Sequence, residues 1–139
     1  MTPPTERPAI CLSRASQATI SSPQSSRVPA LLVFDKNTSS AFHTTPIDLY
    51  LRNMGIKTLV LTGVAADMCV FATALDAADR GFHVIIAADA CETFDPGSAE
   101  AVQILFGHIS GYVMKTADIA DWLKSGRPPE RTRLPARDQ

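Results

Sequence analysis

Much that would direct a reading is missing from these 139 residues. No run approaches eighteen consecutive apolar residues, so no transmembrane helix is expected and the chain is not expected to bind a membrane. The first 29 residues, MTPPTERPAICLSRASQATISSPQSSRVP, hold no uninterrupted apolar core of the signal-peptide kind. Arg7, Arg14 and Arg27 among many Ser, Thr and Pro could mimic a transit peptide, but a disordered or non-native leader is the better reading. Cysteine is scarce: Cys11, Cys69 and Cys91, an odd number without CxxC or a Cys/His cluster. That argues against a disulfide framework or a zinc site and makes a reducing, cytoplasmic setting the default. The net charge is −1, mixed along the chain without a basic stripe, so nucleic-acid binding has no electrostatic support. Neither GxGxxG nor GxxxxGKS/T occurs, which removes the phosphate loop that a nucleotide-binding α/β domain needs. No cofactor and no metal are expected.

What is present is a regular alternation. ALLVF (30–34) is a short apolar run fit for a buried strand. Thr45, Pro46 and Asp48 look like a helix start, and Gly55 an end. TLVLTG (58–63) is the strongest buried-strand signal. A helix is expected over 67–80, stopped by Gly81, followed by the strand HVIIAAD (83–89). A helix over 98–106, a strand over 111–115 and a helix begun by Thr116 complete the order. Strand and helix alternate, which predicts a three-layer α/β/α domain on a mostly parallel, Rossmann-like sheet. The expected domain spans 30–126, between a disordered leader (1–29) and a polar tail (127–139). In such sheets chemistry gathers beyond the carboxyl ends of the strands, here at 35–44, 63–69 and 89–95.

Cys69 falls in one of those segments. With Asp67 as the cap, it would occupy the second helical position. Unpaired backbone N–H groups and the positive helix end favour a thiolate there. The same amides can steady an oxyanion if the thiolate attacks a carbonyl. The competing reading is a small buried hydrophobe, which free cysteines commonly are. Cys91, in DACETFD, lacks so clear a helix start and reads as structural; Cys11 needs no role.

GVAADMCVFATALDAADRGFHVIIAADAC (63–91) resembles the central block of the isochorismatase-like cysteine hydrolases. That block is a strand, a Gly, a short turn, Cys-Val, a helix with Thr-Ala and Asp-Ala, a Gly and a strand ending Asp-Ala. DKNTSSAFHTTPIDLYLRNMGIKTLVLTG (35–63) resembles the block before it, in which a Lys precedes Ser-Ala-Phe, a Thr, a helix and the next strand. Together the match covers roughly 31–124. The resemblance implies a Cys-Lys-Asp triad acting on a small-molecule amide or ureido substrate. Cys69 would be the nucleophile, and Lys36 would assist proton handling and electrostatics around the thiolate. The amides of Ala65 and Cys69 would form the oxyanion hole, and the Val64–Ala65 bond would be a non-proline cis peptide. Family members often self-associate, so a homo-oligomer is possible.

The pattern also breaks. The family's Asp ends a first strand well upstream of the lysine, and no strand is read before Val28 here. The Asp/His cluster that holds metal in the nicotinamidase branch is missing as well. Asp35 is a poor substitute, because it adjoins Lys36 and extended neighbours point to opposite faces. The expectation is therefore an incomplete sheet with an uncovered edge, which invites pairing with another chain. Whether the chain is an enzyme stays open: the alternative is an impaired or inactive fragment serving interaction or oligomerisation.

Overall fold

The computed structural model describes residues 8–14, 17–21 and 31–125. The polar tail at 127–139, and the parts of the leader outside those ranges, lie beyond the described residues. Six strands form one sheet in the order β3-β2-β1-β4-β5-β6. They are β1 (Pro8–Arg14), β2 (Gln17–Ser21), β3 (Leu31–Asp35), β4 (Thr58–Val64), β5 (His83–Glu92) and β6 (Tyr112–Met114). β1, β4, β5 and β6 run parallel, while β2 is antiparallel to both β1 and β3. The helices are α1 (Ala41–Thr44), α2 (Ile47–Asn53), α3 (Phe71–Asp79), α4 (Pro96–Ile109) and α5 (Thr116–Ser125).

The leader differs from its expectation. Composition points to no packed structure over 1–29, yet Pro8–Arg14 and Gln17–Ser21 are strands. β1 lies against β4 in parallel, with Ile10 opposite Val60 and Leu12 opposite Thr62. The physical reason is local. AICL and ATI are short apolar or β-branched runs, long enough to pair although Ser and Pro surround them. β4 is therefore an interior strand rather than an exposed edge.

Alternation along β4 and β5 builds two cores. Leu59, Leu61, Val84 and Ile86 face one side, where α1 to α4 cover them through Phe42, Leu51, Ala74, Ala77 and Phe106. Val60, Ile85 and Ala87 face the other, where α5 covers them with Ile119 and Trp122. This is the three-layer arrangement expected. Burying each such aliphatic side chain contributes roughly 1.5–3 kcal/mol, and the paired strands β4 and β5 supply such side chains to both cores.

α1 is not expected from the sequence. It is a single turn with Ser40 as its cap, the Ser40 hydroxyl accepting from the Phe42 N–H at 3.2 Å. α2 starts one residue later than expected, at Ile47, although the Thr45 hydroxyl still accepts from the Ile47 N–H. β5 runs on to Glu92, three residues past its expected end, with a register shift opposite Leu61 and Gly63. That irregularity sets Cys91 beside Gly63 and leaves Asp89 to receive both the N–H and the hydroxyl of Thr116, at 2.8 Å each, at the start of α5.

Candidate active site

The turn after β4 decides the site. Gly63 has φ 128°, a conformation that residues with a Cβ rarely adopt. The Val64–Ala65 peptide that follows is cis. The chain then enters a π-helical turn, Ala66–Val70, which continues directly into α3. The Val70 N–H donates to the Ala65 carbonyl at 3.1 Å, the five-residue spacing of such a turn. Widened turns of this kind are frequent at functional sites.

Helix geometry here corrects one sequence expectation. The cap is Ala65, with no side-chain cap bond, and the helix starts at Ala66. Asp67 is thus its second residue and Cys69 its fourth. Asp67 does not cap because its carboxylate is taken: Thr93, just past β5, donates its hydroxyl to Asp67 Oδ1 at 2.6 Å. That bond ties the end of β5 to the first helical turn. Cys69 keeps its place in that first turn, at the positive end of the helix, and is only 8% exposed. Met68 and Val64 beside it stand open to solvent.

Lys36 follows the last residue of β3. It is 6% exposed, whereas the adjacent Asp35 is exposed, so the two diverge as extended neighbours should. The Lys36 ammonium donates to the carbonyls of Thr38 (2.9 Å) and Ser39 (3.1 Å). The Thr38 hydroxyl donates to the Ser40 carbonyl at 2.8 Å. Next in the chain, the Ala41 N–H donates to the hydroxyl of Thr73, in the interior of α3, at 3.1 Å. His43 Nε2 lies 2.9 Å from Asp76 Oδ2, an ion-pair distance without a hydrogen bond to that oxygen. Arg80 sits over the Phe42 ring at 4.8 Å. Thr73, Asp76 and Arg80 recur at helical spacing, so one face of α3 grips α1. The segments bearing Lys36 and Cys69 are joined through that contact.

Sequence reasoning notes Thr73 and Ser40 only as parts of the family pattern and assigns neither a role. The available signals are a serine ahead of the helical AFHT and a buried-side threonine inside an alanine-rich helix.

Cys91 is different in kind. Its thiol donates to the Leu61 carbonyl at 3.8 Å, and burial pushes its pKa up to about 11. It stays a neutral thiol. The Asp that the family resemblance leads one to expect has no counterpart on β1, beside β4: β1 reads PAICLSR, and no Asp or Glu occurs between Glu6 and Asp35. Among the described residues no three His, Cys, Asp or Glu gather as a metal site would require, and no helix is long and apolar enough to cross a membrane.

Residues 17–118 match the family model of the isochorismatase domain. The chain belongs to the isochorismatase family. The match opens in β2, so it takes in part of the stretch read as leader. A ureidoacrylate amidohydrolase, RutB of Methylorubrum extorquens, is 34% identical over 113 residues, covering 78% of this chain and 43% of that protein. The crystal structure of an isochorismatase family protein from Desulfovibrio vulgaris superposes with a TM-score of 0.62 at 30% identity, over 65% of this chain and 47% of that one. Nicotinamidase PncA from Bacillus subtilis gives 0.56 at 34% identity, over 58% and 45%. This isochorismatase-family chain therefore spans under half the length of these relatives.

Proposed function

We propose that the chain hydrolyses a C–N bond in a small amide or ureido substrate, with Cys69 as the nucleophile. The observation that carries this is the placement of Cys69: buried, in the first turn of a helix, directly beyond the carboxyl end of β4. Backbone N–H groups at the start of the helix face that position. Its sulfur would bond to the substrate carbonyl carbon while the C–N bond breaks and the nitrogen leaves with a proton. Water would then cleave the thioester, releasing the acid and restoring the thiol. The amides of Ala65 and Cys69 are proposed to receive the oxyanion. Lys36 is proposed to lend positive charge to the thiolate. The relatives named for ureidoacrylate and nicotinamide supply the substrate class to try first. A reducing, cytoplasmic setting would suit a thiolate nucleophile.

The test is hydrolysis of ureidoacrylate and nicotinamide by the purified chain beside its Cys69→Ser variant. Turnover that vanishes in the variant supports the proposal. Turnover that persists sinks it.

A second reading has its own support. β1 offers no carboxylate to take the thiol proton, and Phe94, Ile104, Leu105 and Ile109 stand exposed on and beside α4. Exposed large apolar side chains of this sort fit an interaction module with little or no turnover. That reading predicts association in solution and no hydrolysis by the native sequence.

A further inference from the structure

We infer that Thr73 is the positioning residue that holds the Lys36 loop in register with the helix carrying Cys69. The inference rests on the reading of Cys69 and Lys36 given above.

Thr73 is fully buried. It stands four residues after Cys69, one turn along the same continuous helix. A threonine in a helix interior usually returns its hydroxyl bond to its own backbone or points it to solvent. Here the hydroxyl accepts from the Ala41 N–H, thirty-two residues away in sequence. A buried N–H left without a partner is costly, so this acceptor fixes where Ala41 can sit.

From Ala41 the chain of bonds runs straight to the ammonium. Ser40 is buried and caps α1, and its carbonyl accepts from Thr38. The Thr38 and Ser39 carbonyls in turn receive Lys36. Thr73 thus sets the height of the Lys36 loop along α3. Two further contacts between α1 and the end of α3, His43 with Asp76 and Arg80 over Phe42, are more exposed. A core-filling role alone would need only the shape of the side chain. Valine has that shape without the acceptor, and serine has the acceptor without the methyl group.

The experiment is the rate of iodoacetamide alkylation at Cys69 against pH, read by peptide mass mapping on the full chain, so that no turnover is needed. Lys36→Gln is expected to slow alkylation at pH 7 about tenfold, through loss of the positive charge. Thr73→Val is expected to slow it about threefold to tenfold, and Thr73→Ser to stay within about twofold of the native rate. In the double variant Thr73→Val adds nothing to Lys36→Gln, because both act on one coupling. Thr38→Val breaks the same chain of bonds at a less buried point and carries the test if Thr73→Val does not fold. A slow Lys36→Gln with a native-like Thr73→Val (or, if that variant does not fold, a native-like Thr38→Val) overturns the inference and leaves the reading of Lys36 standing. Additive losses in the double variant overturn it too. A native-like Lys36→Gln removes the reading of Lys36 and the inference together.

Discussion

Cys69 and Cys91 are both 8% exposed, and they sit at the ends of neighbouring elements on the same edge of the domain. Their surroundings are opposite. Cys91 lies on a strand with its thiol turned to the Leu61 carbonyl, and desolvation holds its proton up to about pH 11. Cys69 lies in the first turn of a helix, where N–H groups rather than carbonyls face outward. Burial alone therefore does not sort a nucleophile from a structural thiol. The backbone dipoles around the two sulfurs differ, and under the proposed function that difference is what sets Cys69 apart.

The sharpest break of the comparison is substitution. Cys69→Ser should lower hydrolysis of the responsive substrate by at least about a thousandfold. Cys91→Ala should leave turnover within about twofold, measured in the same assay. Next in size, if Lys36 acts as proposed, Lys36→Gln should lower kcat/KM by roughly ten- to a hundredfold, because the variant keeps Cys69 but loses the positive charge. A smaller effect separates the thiols by stability. The pKa of Cys91 is raised by folding, from an ordinary 9.0 to about 11. Its contribution is complete below pH 9 and disappears as the pH climbs toward 11. The native chain should therefore lose more stability than Cys91→Ala over that interval, as read from urea midpoints. The smallest effect lies at low pH. Hydrogen bonds from Thr116 hold the Asp89 carboxyl below its ordinary value, so its contribution is present above that ordinary value and fades as the pH falls through the depressed one. Asp89→Asn should flatten the acid limb slightly, by thermal melting between pH 2 and 5.

The regions of the molecule are also unequal in how far the sequence discloses them. β4, β5 and α3 are legible because TLVLTG and HVIIAAD are dense apolar runs and Gly81 punctuates the helix. β1 and β2 are not, because four-residue runs such as AICL carry too little periodicity to stand out from Ser and Pro. Their order comes from partners distant in sequence. α1 has four residues and depends on Ser40 and Thr73 for its bonds, so no local pattern announces it. Cys69 itself is visible through its distance from β4. Its helical position is two residues further along than the sequence implies: the helix is capped by Ala65, and the Asp67 carboxylate accepts from Thr93, a partner twenty-six residues away. Lys36 is legible only jointly with the downstream pattern, and its burial is not.

The central claim is that Cys69 is the reactive thiol of this domain. Limited iodoacetamide treatment at pH 7, with peptide mapping and parallel assay, tests it most directly. Label is expected to enter Cys69 well before Cys91, with hydrolysis falling in step with Cys69 labelling. Label entering Cys91 first, or full activity after Cys69 is alkylated, would contradict it.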